Sequence, residues 1–149
     1  RAIFFAKGVV ETVKKLNWVP DIIHVHGWMA GLLPVYMKHY YKDEALFSDT
    51  KIVTSVYGQS FDGTLNAEMI NKIKFDNIPQ EAIQDLELPN YENLIKSSVM
   101  HSDAVIIASE SVSASLTKFI ESSGKPFLSF ATKDKFSEAY TNFYKEMLP

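Results

Sequence analysis

Apolar residues along this chain follow two rhythms, one helical and one extended. Ala2, Phe5, Val9, Val13 and Leu16 recur every three or four positions, the spacing of one helix face. Pro20 stops that pattern, because proline disfavours helical geometry in the residue before it. "DIIHVH" follows, a short β-branched run that is apolar on both faces, as in a strand covered on both sides of a parallel sheet. The helical step returns through Trp28, Leu32, Val35, Tyr36 and His39 and predicts a helix over residues 28–41, after which "KDEALFSDTK" reads as a polar connector. "KIVTSVY" predicts a second strand and "GQSFDGT" a loop. "NAEMINKIKF" and "PQEAIQDLEL" predict two short helices parted near Pro79. Asn90 stands where a cap belongs, before a stripe of Tyr91, Leu94, Ile95 and Val99. "DAVIIAS" is a third strand, and Ser109 or Ser111 can cap the helix carrying Val112, Leu116, Phe119 and Ile120. Gly124 ends that helix, "KPFLSF" is a short fourth strand, and Phe136, Ala139, Tyr140, Phe143, Tyr144 and Met147 mark a final amphipathic helix.

Strands alternating with helices imply right-handed crossovers and an α/β, doubly wound parallel sheet, with residues 1–149 as one Rossmann-like domain. A composition of 46% hydrophobic and 22% charged residues fits one ordinary folded core. The net charge of −3, with no Lys/Arg stripe to neutralise a row of phosphates, argues against a nucleic-acid partner. The chain has no cysteine, which removes disulfides, thiolate nucleophiles and Cys-based zinc sites and fits a reducing, cytoplasmic compartment. No apolar run approaches the roughly 20 residues that cross a bilayer. Lys7, Lys14 and Lys15 interrupt the opening segment and no small-residue cleavage site follows, so it does not read as a signal peptide. With no initiator Met and an opening inside a helical pattern, the expectation is a domain incomplete at its N-terminus.

Two of the four histidines, His24 and His26, sit at the end of the first strand. Two residues apart in a strand, they share a face, and His26 lies at the carboxyl end, where open α/β sheets bind ligands. A metal pair would need further ligands, and His39 and His101 sit in no ligand-like cluster with a carboxylate, so no metal is expected. His24, among apolar neighbours, reads as a hydrogen-bonded core histidine. His26 is the better functional candidate, because Gly27 removes a side chain beside it and permits a tight turn where backbone can approach a ligand. Trp28 either anchors the next helix in the core or flanks a sugar ring, and core packing is the simpler reading. Lys51, Asp62 and Asp103 read as solvated or capping charges.

The stretch "PDIIHVHGWMAGLLPVYMK" resembles the bacterial glycogen and starch synthases, glucosyltransferases with the two-domain GT-B fold. Their pattern runs Pro-Asp-[Ile/Val]-[Ile/Val]-His-x-His-Asp-Trp-His-[Thr/Ala]-[Gly/Ala]-Leu. Pro20, Asp21, His24, His26, Trp28, Ala30, Gly31 and Leu32 keep it, while Gly27 and Met29 replace the Asp and the following His. "KIVTSVYGQSFDG" is similar to a second family stretch at Lys51, Val53, Val56 and Gly63, and departs from it at Tyr57 and Gly58. "SDAVIIAS" is similar to a third at Asp103, Val105 and Ser109. The departures resemble the divergent, shortened synthase-like proteins of Bacteroidetes-type bacteria.

The resemblance implies an acceptor-side, N-terminal half of a GT-B enzyme that moves glucose from ADP-glucose, or another sugar nucleotide, to the non-reducing end of an α-1,4-glucan with retention. It assigns His26 the contact with the transferred glucose, with no cofactor; Gly27, Trp28, Tyr57 and Gly58 are the further candidate substrate-binding residues. The family's Lys-x-Gly-Gly loop and its C-terminal nucleotide domain have no counterpart in these residues. The expectation is therefore that this chain alone transfers no glucose, and that an exposed interdomain face allows self-association. An alternative is a non-catalytic α-glucan or sugar-nucleotide binding domain, which the changes at Gly27 and Met29 favour. A flavodoxin- or receiver-like domain would want an acidic cluster or phosphate loop at the first strand, and the sequence has neither.

Overall fold

The computed structural model describes residues 1–148, and in it the β-branched runs become four parallel strands. They are β1 (Ile22–His26), β2 (Lys51–Val56), β3 (Ala104–Ile107) and β4 (Phe127–Leu128), in the order β1-β2-β3-β4. His24 lies beside Val53, and His26 beside Ser55, which in turn neighbours Ile106. Side chains alternate across a strand. His24, His26, Val53, Ser55, Ala104 and Ile106 therefore share one face, while Val25, Ile52, Thr54, Val56, Val105 and Ile107 occupy the other.

Each crossover steps to the next strand in the same direction, so right-handed connections stack their helices on one face. Helices α1 (Ala2–Lys15), α2 (Leu33–His39), α3 (Glu68–Phe75), α4 (Tyr91–Met100) and α5 (Ala114–Ser122) lie on the Val25/Ile52/Val105 side and build two adjoining apolar clusters there. Helix α6 (Phe136–Met147) covers the opposite face, with Phe143 buried against Val53, Ala104 and Ile106. Helices on both faces of a parallel sheet are the α/β class expected from the sequence. Among the described residues no helix is long and apolar enough to cross a membrane.

Local details depart from the sequence reading in four places. On α1 the buried face is Ala2, Ala6 and Val10, whereas Phe5 is 43% and Leu16 68% exposed. The side of α1 that packs against the rest of the domain carries small residues, and Phe5 and Leu16 turn outward. The helix expected over 28–41 is broken: Trp28–Ala30 is a 3-10 turn and α2 begins at Leu33, because Pro34 fits only the first turn of a helix. "PQEAIQDLEL" forms two 3-10 turns, Gln80–Ala82 and Gln84–Glu87, pinned by buried Ile83 and Leu86. The cap of α5 is Ser113, whose hydroxyl accepts the Leu116 N–H, while Ser109 and Ser111 bond to each other instead. Asn90 does cap α4, accepting the Asn93 N–H at 2.8 Å, and Gly124 leaves α5 with φ +73°.

Candidate functional site at the carboxyl edge of the sheet

At the end of β1 the chain must turn off the sheet at once. Gly27 makes that turn at φ +72° and ψ 166°, a conformation that residues with side chains rarely adopt. Trp28 then packs edge-on against Phe61, with ring centroids 5.0 Å apart. Parallel strands end at the same edge, so Tyr57 and Gly58 leave β2 beside His26 and Gly27. Gly58 presses against the loop after β3: a Cβ there would lie 2.5 Å from the Ser111 carbonyl oxygen. Tyr91, the first residue of α4, donates its hydroxyl to the Tyr57 carbonyl at 2.6 Å and ties a third segment to the same edge.

Two adjoining hollows result. One, of about 390 Å³, is lined by Gly27, Trp28, Tyr57, Gln59, Ser60 and Tyr91, together with Ile95. Its neighbour, of about 350 Å³, shares Tyr57, Ser60 and Tyr91 and adds Gly58, Asn90, Glu92 and Ser111, among others. Both reach the size of small-ligand sites, roughly 300 Å³ upward. Neither is lined by a Lys or Arg, and their polar groups are hydroxyls, amides and one carboxylate. That set suits neutral, hydroxyl-rich molecules better than phosphates. A larger hollow of about 660 Å³ runs along α1 between Phe4, Phe5, Leu16, Trp18 and Met29, away from both histidines and lined almost wholly by apolar side chains.

The histidine pair stands on the α6 side of this rim. His24 is half-buried, with Nε2 2.7 Å from the Ser55 hydroxyl and Nδ1 2.5 Å from the Tyr144 hydroxyl. Burial, and then the neighbouring His26 ring, push its pKa down to about 4, so it is neutral at physiological pH. Its surroundings are more polar than the sequence suggested, since Ser55, His26 and Tyr144 all reach it. His26 is exposed, with Nδ1 2.7 Å from the Tyr57 hydroxyl. One side of its ring lies against His24 at 3.9 Å between centroids, and that loss of water holds its pKa below 6.5.

The structure thus brings Gly27, Trp28, Tyr57 and Gly58 together around the two hollows. His26 lines neither and joins them through Tyr57. Tyr91, Ser111 and Tyr144 were not among the sequence candidates. Tyr91 stood out only as part of a helical stripe, although its place at the start of α4, facing the carboxyl edge, was the usable signal. No cluster of three or more potential metal ligands occurs among the described residues.

The starch synthase catalytic domain family matches residues 1–124. The chain belongs to that family. It is 36% identical over 110 residues to a glycogen synthase of Chlorobium limicola, covering 73% of this chain and 22% of that protein. A glycogen synthase of Clostridium perfringens is 30% identical over 110 residues, covering 74% and 23% respectively. One from Thermotoga petrophila is 32% identical over 107 residues, covering 70% and 21%. The chain therefore spans about a fifth of the length of the curated relatives it matches. No solved structure gave a significant match. The histidine pair, the Gly27 turn and the Tyr57–Gly58 segment all fall within the matched residues, whereas α6 falls outside them.

Proposed function

We propose that this chain is the acceptor-side part of a glycogen or starch synthase, and that its carboxyl-edge groove receives the glucosyl unit and the α-glucan end to which it is joined. The carrying observation is His26, exposed at the strand end beside a groove lined by hydroxyls and aromatic rings rather than by cations. Glucosyl transfer passes through an oxocarbenium-like state, and contacts to sugar hydroxyls that strengthen in that state lower the barrier. His26, anchored at Nδ1 by Tyr57, holds one imidazole nitrogen for such a contact. Gly27, Trp28, Tyr57 and Gly58 shape the walls. The donor in this reading is a sugar nucleotide, ADP-glucose first, and the product keeps the anomeric configuration.

The same groove argues that the chain alone turns nothing over. A departing nucleoside diphosphate develops negative charge, and stabilising it is the largest electrostatic demand of the reaction. The lining residues offer no cation for it. Binding without turnover is therefore the activity expected of this chain by itself. Gly27 and Met29, standing where the family pattern has Asp and His, favour the second reading, a glucan-binding domain without catalysis.

Titration with maltoheptaose tests the binding, and radiolabelled ADP-glucose with glycogen primer tests the turnover. Saturable maltoheptaose binding that weakens about tenfold or more in His26→Ala is expected, the loss of one well-made polar contact. Label incorporation above a boiled control would overturn the claim of inactivity. Absence of any glucan binding would overturn the groove assignment.

A further inference from the structure

Helix α6 lies outside the segment that matches the synthase family, yet it touches the histidine pair directly. Tyr144 reaches His24 Nδ1 from above the sheet, Ser55 reaches Nε2 from within it, and both ring nitrogens are thereby engaged. A histidine held at both nitrogens has its ring orientation fixed, and because both partners are hydroxyls, able to donate or accept, the hold works for either tautomer. Tyr140 closes the outer side, its ring centroid 6.1 Å from that of His24. Against this fixed ring His26 stacks at 3.9 Å and 39°, and Tyr57 holds its Nδ1 from the other direction. Among the described residues the His26 Nε2 has no hydrogen-bond partner, so it is the one nitrogen of the pair left for a ligand.

We propose that Tyr144 is a positioning residue for His26: by fixing His24 it holds the stacked imidazole pair in the orientation that leaves His26 Nε2 available to a sugar hydroxyl. The tail thus adds to the site a part that the family-matching segment does not carry. This inference rests on the reading of His26 as a sugar contact, and its test separates the two.

Long-range 1H–15N spectra of the imidazoles are recorded on the full chain for wild type, Tyr144→Phe and Ser55→Ala, alongside maltoheptaose titrations. Phenylalanine keeps the packing of the ring and removes only the hydroxyl. In Tyr144→Phe the His24 Nδ1 signal and both His26 nitrogen signals should move, and maltoheptaose affinity should fall about three- to tenfold, the worth of one hydrogen bond. Ser55→Ala frees the other nitrogen of His24 and should move the His24 Nε2 signal. His26 signals in Tyr144→Phe that coincide with wild type would overturn the proposal, because a merely packed tyrosine leaves them unmoved. If wild type binds no glucan, the sugar reading fails, and the His26 signals still decide whether Tyr144 positions the pair. Should Tyr144→Phe lose its fold by circular dichroism, Tyr144→Leu, which also removes the hydroxyl, is read by the same criterion, and unmoved His26 signals there would overturn the proposal.

Discussion

Acid should destabilise this fold through His24 in particular. The folded chain holds the His24 pKa at about 4, whereas an unperturbed histidine titrates near 6.5. Between those values the unfolded chain takes up a proton that the folded chain refuses. Stability rises with pH wherever the unfolded state binds more protons, so the contribution is intact above pH 6.5 and is lost progressively as pH falls toward 4. Below that both states are protonated and the loss is complete. The gap corresponds to roughly 3 kcal/mol, and for a half-buried ring partly screened by water about 2 kcal/mol is the expected size. The physical event is the forced charging of a ring that sits under Tyr144, beside another imidazole. Urea unfolding of wild type and His24→Gln, at pH 7.5 and at pH 4.5, isolates it. Burial also lowers the pKa of His39 and His101. The quantity read is therefore the difference between the two proteins' pH dependences, with wild type losing about 2 kcal/mol more. Parallel dependences, or an NMR titration midpoint for His24 near 6.5, would refute the reasoning.

Gly58→Ala should cost about 1–3 kcal/mol by overpacking, because the new Cβ would meet the Ser111 carbonyl carbon at 2.6 Å and its oxygen at 2.5 Å. A urea midpoint within error of wild type would show that the two loops part freely. Asp103→Ala should cost about 1–3 kcal/mol, since its Oδ2 accepts the Ile52 N–H at 2.8 Å and Ile52 is buried. Asp103→Asn, which keeps a carbonyl oxygen, should recover most of that loss, and the exposed Lys38 contact to Oδ1 should matter little in 0.5 M salt. Asn90→Ala should remove about 1 kcal/mol by uncapping α4, and an unchanged thermal midpoint would count against the cap.

The strands were legible because β-branched residues in short runs leave few alternatives, and "DIIHVH", "KIVTSVY" and "DAVIIAS" each fell where a strand is found. The edge of the site was legible as well, since His26 and Gly27 are adjacent in sequence and a strand end needs no tertiary information. What failed was whatever depends on the closeness of two surfaces. The stripe on α1 ran through Ala2, Phe5, Val9, Val13 and Leu16; Phe5 and Leu16 turn outward, and Ala6 and Val10 are buried instead. Tyr91 and Ser111 enter the groove from segments far apart in the chain. Tyr144 reaches His24 across 120 residues, and no local pattern marks such a pairing. The serine cap shifted to Ser113 because Ser109 and Ser111 satisfy each other.

The uneven covering of the sheet has a practical consequence for anyone who trims this protein. The family match ends at residue 124, but Phe143, with Tyr140, Tyr144 and Met147 of α6, covers Val53, Ala104 and Ile106. A fragment cut at the limit of recognisable kinship would bare that strip of aliphatic side chains to solvent and should come out of cells as insoluble material. Here the stretch that the family match marks is shorter than the stretch that covers both faces of the sheet.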